Sequence, residues 1–230
     1  MFEQQTLGQS GYSLQKHVTK TFMIMGLGLL VSAVVALIGY VSGFSLRLLF
    51  SFGNMSYFLL LAVQLGVVFM FTRKLYQMNY SRAMLMYMIY AVTTGIVFGT
   101  LGYLYAGPTI FFAFGVTALY FGSLTMIGMT TKMDLTKVGN VCFVGLLVLI
   151  VVELLGMFFF DTNTMLINGI AILIFTGLTA YDVQKIKYAY YQYEHDSVML
   201  KHLALYAAFE LYLDFINLFL RILSVVGDQD

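Results

Sequence analysis

The chain has 230 residues, of which 60% belong to the hydrophobic set and only 10% are charged. Its mean hydropathy is +0.87 and its formal net charge +1. An ordinary soluble domain carries about 25% charged residues, and water does not tolerate so much apolar surface. A soluble enzyme, a disordered chain and a nucleic-acid binder are excluded, and an integral membrane protein is expected.

The leading segment, residues 1–20, is polar and has no apolar signal core, so it reads as a short cytoplasmic leader. Residues 21–230 then form a single domain with seven apolar stretches of the length a bilayer requires. They run Thr21–Tyr40, Met55–Thr72, Ala83–Tyr105, Thr109–Met129, Val138–Phe160, Thr164–Tyr181 and Leu203–Leu223. All are apolar on every face, whereas a membrane β-barrel alternates polarity over about ten residues. The expected fold is therefore an all-α seven-helix bundle. Its one proline, Pro108, is placed in a turn at Ala106–Pro108.

Charge placement orients the bundle. Ten of the twelve basic residues fall before span one or in the connections two–three, four–five and six–seven. Arg47 and Arg221 alone fall on the other side. The positive-inside rule puts the N-terminus in the cytoplasm and the C-terminus outside.

Within the spans the ionisable groups are acidic except for Arg221: Glu153 in span five, Glu210 and Asp214 in span seven, and Asp182 ending span six. An intramembrane charge costs several kcal/mol (about 2.5–3.5 on insertion scales), so such groups face the bundle interior. Glu210, Asp214 and Asn217 share one helix face by their spacing of four and three. Adjacent carboxyls repel when ionised, and a shared proton or a bound cation relieves them. The alternative is an Asp214 that is protonated or capped by hydroxyls and orders the bundle. Asp182 alone reads as a solvated helix end beside Lys185. Glu153 reads equally as a buried acid bonded across helices or as a pathway residue.

Carboxylates attract cations and suit calcium among metals, with protons as the competing passenger. No Walker motif and no HExxH occurs, so neither ATP-driven pumping nor zinc proteolysis has a site, and no enzyme activity or cofactor is expected. His17, His195 and His202 read as surface residues. Gly95 and Gly99 form a GxxxG that predicts close helix packing within the monomer. Cys142 has no partner for an internal disulfide.

Two segments carry a family resemblance. GLTAYDVQKIK at 177–187 and ELYLDFINLFLRIL at 210–223 resemble the signature segments of the Bax inhibitor-1 family, the transmembrane Bax inhibitor motif proteins with their bacterial YccA-like members. TTKMDLTKVGN at 130–140 is similar to the span four–five loop of the bacterial members. The resemblance implies six helices wrapped around a central seventh, and a pH-sensitive pair formed by Asp182 and Asp214. That pair would bind calcium and gate a calcium leak. It further implies a latch arginine at the cytoplasmic end of span two, for which Arg73 is the candidate and Lys74 a substitute. Span two carries Gln64 where some relatives have a glutamate. The short acidic tail favours a bacterial plasma membrane. A pH-sensitive calcium leak channel is thus expected, with the lipid bilayer, calcium and protons as partners. Its rival is an adaptor that binds another membrane protein, such as a quality-control protease, with structural acids.

Overall fold

The computed structural model describes residues 13–51, 54–74, 78–159 and 164–227. Among these the regular structure is entirely helical: α1 Leu14–Val41, α2 Phe44–Ser51, α3 Asn54–Lys74, α4 Tyr80–Phe98, α5 Leu101–Leu104, α6 Gly107–Thr130, α7 Thr136–Phe159, α8 Thr164–Gln192 and α9 Ser197–Gly227. In hydrocarbon every backbone N–H and C=O must find its partner within the chain, and a helix provides this segment by segment.

Among the described residues six stretches are long and apolar enough to cross a membrane: Leu14–Val41, Tyr80–Leu104, Gly107–Thr130, Thr136–Glu153, Thr164–Gln192 and Ser197–Gly227. The expected span Met55–Thr72 is helical as α3, but its described apolar part is the shorter Ala62–Phe71.

Local chemistry sets the helix ends. Ser13 caps α1 by accepting from the Lys16 amide, and Asn79 caps α4 by accepting from Ser81. Gly43 has φ +68°, a left-handed turn that side-chain-bearing residues avoid, and it turns the chain from α1 into the short α2. The apolar spacing predicts no helix at these residues. Pro108 lies in the first turn of α6 rather than in the preceding turn, where a missing N–H goes unnoticed. In the α6–α7 loop, Asp134 Oδ1 accepts from the Thr136 amide and hydroxyl at 2.9 and 2.6 Å. These two bonds hold its carboxyl below the usual range.

At the centre lies α9. It packs against α1, α4, α6 and α8, and 15 of its 31 residues are buried. Around Phe209 and Tyr212 the rings of Tyr87 and Tyr90 stand edge-on, with centroids 5.2–5.9 Å away. Phe121 meets Phe215 in the same way at 5.5 Å. Such contacts add about 0.5–1.5 kcal/mol each beyond burial. On the outside, Phe111, Leu119 and Val141 are more than 70% exposed, as lipid-facing side chains are.

Helix α8 outruns its expected end at Tyr181 by eleven residues. Hydropathy marks the edge of the apolar slab, not the end of the helix. The extension stays helical because Val183 and Ile186 are buried and because its polar residues bind the α6–α7 loop. Gln184 accepts from the Leu135 amide at 2.9 Å and donates to the Met133 carbonyl at 2.7 Å. Lys187 donates to the Met129 carbonyl at 2.6 Å.

Candidate functional site

Asp182 on α8 and Glu210 and Asp214 on α9 converge where the two longest helices pack together. Their contact brings in a fourth group. Lys185, one turn after Asp182, places Nζ 2.7 Å from Glu210 Oε1 and 3.3 Å from Asp182 Oδ1. The Tyr206 and Tyr181 rings flank this ammonium at 5.4 and 5.7 Å, within cation–π range. Asp182 is therefore no solvated helix end. Its side chain is 13% exposed and ion-paired inside a continuous helix.

Asp214 lies one turn deeper, about 6 Å along the axis from Glu210. It is 5% exposed, and it feels the charges of Asp182, Glu210 and Lys185 and the dipole of Thr179. Asp214 Oδ2, Glu210 Oε2 and Thr179 Oγ1 are all buried without a hydrogen-bond partner among the described residues. A buried polar atom left so is costly unless it serves a purpose. Still, no group of three or more His, Cys, Asp or Glu side chains is arranged to hold a metal ion among the described residues. As folded, the cluster is organised around an ammonium.

The other expected site residues lie elsewhere. Asn217 turns back on its own helix and donates to the Leu213 carbonyl at 2.8 Å. Glu153 on α7 meets Arg221 on α9 at 2.6 Å, two turns beyond Asp214. Arg221 also donates to Asn168 Oδ1 of α8 at 3.2 Å, and Asn168 donates to Ser224 at 2.8 Å. These bonds tie the far ends of α7, α8 and α9 together. Gln64 on α3 donates to Thr94 of α4 at 3.2 Å. Arg73 ends α3, and its side chain lies outside the described residues.

The histidines divide. His195 is exposed, but His17 is fully buried beneath the Tyr190 ring at 5.9 Å, because α1 begins seven residues before the expected span and packs on α8. His202 stands edge-on to Tyr80 at 5.9 Å.

An apolar cavity of about 430 Å³ opens between α1, α6 and α9, lined in part by Ser32, Tyr40, Phe114 and Phe219. No ionisable acid or base of the cluster reaches it. The chemistry of the bundle is concentrated at the α8–α9 contact.

The sequence names the acids but does not by itself show Lys185 and Thr179 as their neighbours. The available signal was spacing: Thr179, Asp182 and Lys185 recur every third residue and so share a helix face. In the structure the two signature-like segments are the two sides of the cluster. Gln184 and Lys187 of the first also bind the 130–140 segment.

The family described as inhibitor of apoptosis-promoting Bax1 matches residues 14–230. A protein of Borreliella burgdorferi is 35% identical over 93% of this chain and 92% of its own length. The inner membrane protein YbhL of Escherichia coli strain K12 is 31% identical over 94% of this chain and 93% of its own. A membrane protein of Streptococcus pyogenes serotype M3 is 31% identical over 96% of each. With six apolar helices of membrane-crossing length beside these relatives, the chain is a multi-pass protein of the bacterial inner membrane and belongs to the Bax inhibitor family.

Proposed function

We propose that this protein is a pH-sensitive, calcium-permeable leak channel or slow passive transporter, gated by Asp182 and Asp214. Seven spans with a cytoplasmic N-terminus belong to the same proposal, α3 supplying the seventh and the basic residues the orientation. The supporting observation is the pairing of two carboxyls, Asp182 and Glu210, on a single ammonium, with the buried Asp214 Oδ2 one turn away and without a hydrogen-bond partner among the described residues.

Charge counting supplies the mechanism. Fully ionised, Asp182, Glu210, Asp214 and Lys185 sum to two negative charges inside the bundle. Two protons or one divalent cation neutralise them equally well. Protonated carboxyls hydrogen-bond and hold α8 against α9. Deprotonation makes them repel, loosens that contact and leaves oxygens suited to calcium. Leak therefore rises as pH rises through the apparent titration of the cluster. Arg73 is the latch that would hold the closed form from α3.

The test is calcium flux into proteoliposomes across about pH 5.5 to 8.5, comparing wild type with Asp182→Asn and Asp214→Asn. Wild-type flux is expected to climb severalfold over that range, and both variants to lose the dependence. Equal, pH-independent flux in all three removes the mechanism. Absence of flux, together with loss of a crosslinked membrane partner in the variants, returns the acids to a structural role in an adaptor.

A further inference from the structure

We propose that Lys185 is the cluster's resident cation, a tethered ammonium that competes with calcium for the Asp182 and Glu210 carboxylates and so sets the divalent-ion affinity of the site. The inference rests on the calcium reading above and adds the regulation of that site by a residue of this chain.

Four observations converge on it. Lys185 Nζ lies 2.7 Å from Glu210 across the α8–α9 contact and 3.3 Å from Asp182, one turn back on its own helix. The Tyr181 and Tyr206 rings supply two faces that favour a monovalent organic cation rather than a metal. Among the described residues no three acids stand close enough together to hold a metal ion, so in the folded state the cation at Asp182 and Glu210 is the ammonium. Yet oxygens remain to spare, because Asp214 Oδ2, Glu210 Oε2 and Thr179 Oγ1 have no hydrogen-bond partner among the described residues. A lysine brings three donors and no acceptor, so it satisfies only part of such an oxygen-rich site. Calcium takes six to eight oxygens, and carboxylates, a hydroxyl and water together provide them.

The exchange has a physical route. The Lys185 side chain is 33% exposed, near the end of α8 where the helix leaves the apolar slab. Its four-carbon stem can stay packed while the ammonium swings to water or headgroups, as lysines do at membrane edges. A divalent ion arriving at the acids then replaces one positive charge with two. An arginine at this position would bind the two carboxylates by its rigid fork and leave less readily.

The experiment measures equilibrium binding of radioactive calcium to the purified full-length protein, with flux measured in parallel. Lys185→Met is expected to bind calcium about tenfold tighter or more and to leak faster, while Lys185→Arg binds no tighter than wild type. A folded Lys185→Met protein with wild-type affinity overturns the proposal. To separate charge from folding, Lys185→Cys is made in a Cys142→Ser background and modified after purification. A 2-aminoethyl thiosulfonate reagent, which restores an ammonium, is expected to weaken calcium binding in the same sample, and its neutral methyl counterpart to leave it unchanged. Equal effects of the two reagents also overturn the proposal. If wild type shows no flux but Lys185→Met gains affinity, the leak reading fails and the competition stands. If wild type leaks with the expected pH dependence while Lys185→Met changes neither affinity nor flux, the competition alone fails.

Discussion

Ser32 has one hydroxyl hydrogen and three oxygen neighbours, the Gly28 and Ala91 carbonyls at 3.1 and 2.8 Å and Tyr212 Oη at 2.7 Å. A carbonyl can only accept, so the Ser32 hydrogen goes to Ala91 and Tyr212 donates to Ser32. The central helix α9 is thereby bonded to α1 and, through Ser32, to α4, all at buried positions. Ser32→Ala removes the bonds that tie Tyr212 and the Ala91 carbonyl to α1 and is expected to cost about 1–2 kcal/mol of stability. Tyr212→Phe is expected to cost about half as much, because Ser32 keeps its bond to Ala91. Unfolding of the purified protein in mixed micelles measures both, and a larger loss for Tyr212→Phe would reverse the assigned donor. Nothing in the apolar run around Ser32 announces this junction. A serine in a membrane helix ordinarily bonds its own preceding turn, and only the approach of α4 and α9 gives this one its other partners.

Helix against helix, the decisive residues are the smallest. The GxxxG of α4 lies on α1. A methyl group on Gly95 would come within 2.7 Å of the Ser32 carbonyl oxygen, and one on Gly99 within 3.1 Å of the Ala36 carbonyl oxygen. Without a hydrophobic drive between helices in lipid, backbones this close gain dispersion contacts instead. Gly95→Ala is expected to destabilise by about 1–3 kcal/mol, and Gly95→Leu to separate α1 from α4. Gly115→Ala, where nothing lies within 4 Å, is expected to change stability by less than about 0.5 kcal/mol. Thermal unfolding in detergent measures the contrast, and equal effects would count against the close packing. This motif was legible in advance, since the spacing of Gly95 and Gly99 predicts a packed face. Its partner was not legible, because spacing on one helix carries no information about which other helix arrives.

For the whole molecule, the outer surface is the reverse of a soluble domain's, while the interior is mainly apolar with a minority of polar groups. Large apolar side chains cover the outside, and the buried interior holds Asp214, Asn168, Gln184 and several threonines. The distribution of basic residues predicts that Arg47 lies outside the cell and Lys132 inside. Arg47→Cys and Lys132→Cys, each in a Cys142→Ser background, test this with a membrane-impermeant maleimide on spheroplasts. Arg47→Cys is expected to label on intact spheroplasts and Lys132→Cys only after lysis, and both side chains are exposed. The opposite pattern would invert the topology.

Composition, the spacing of apolar stretches and the acids within them were enough to establish a helical membrane bundle and to single out Asp214 with Glu210, whereas Asp182 stood out only through the family resemblance. The bilayer imposes this, because the length and apolarity of a span are conditions that each segment meets by itself. Tertiary structure decided what local pattern leaves open: α9 at the centre, Lys185 between Asp182 and Glu210, Glu153 paired with Arg221, and His17 buried. Each of these depends on which faces of distant helices meet, and a span that is apolar toward lipid as well as toward its neighbours has no separate stripe to reveal them.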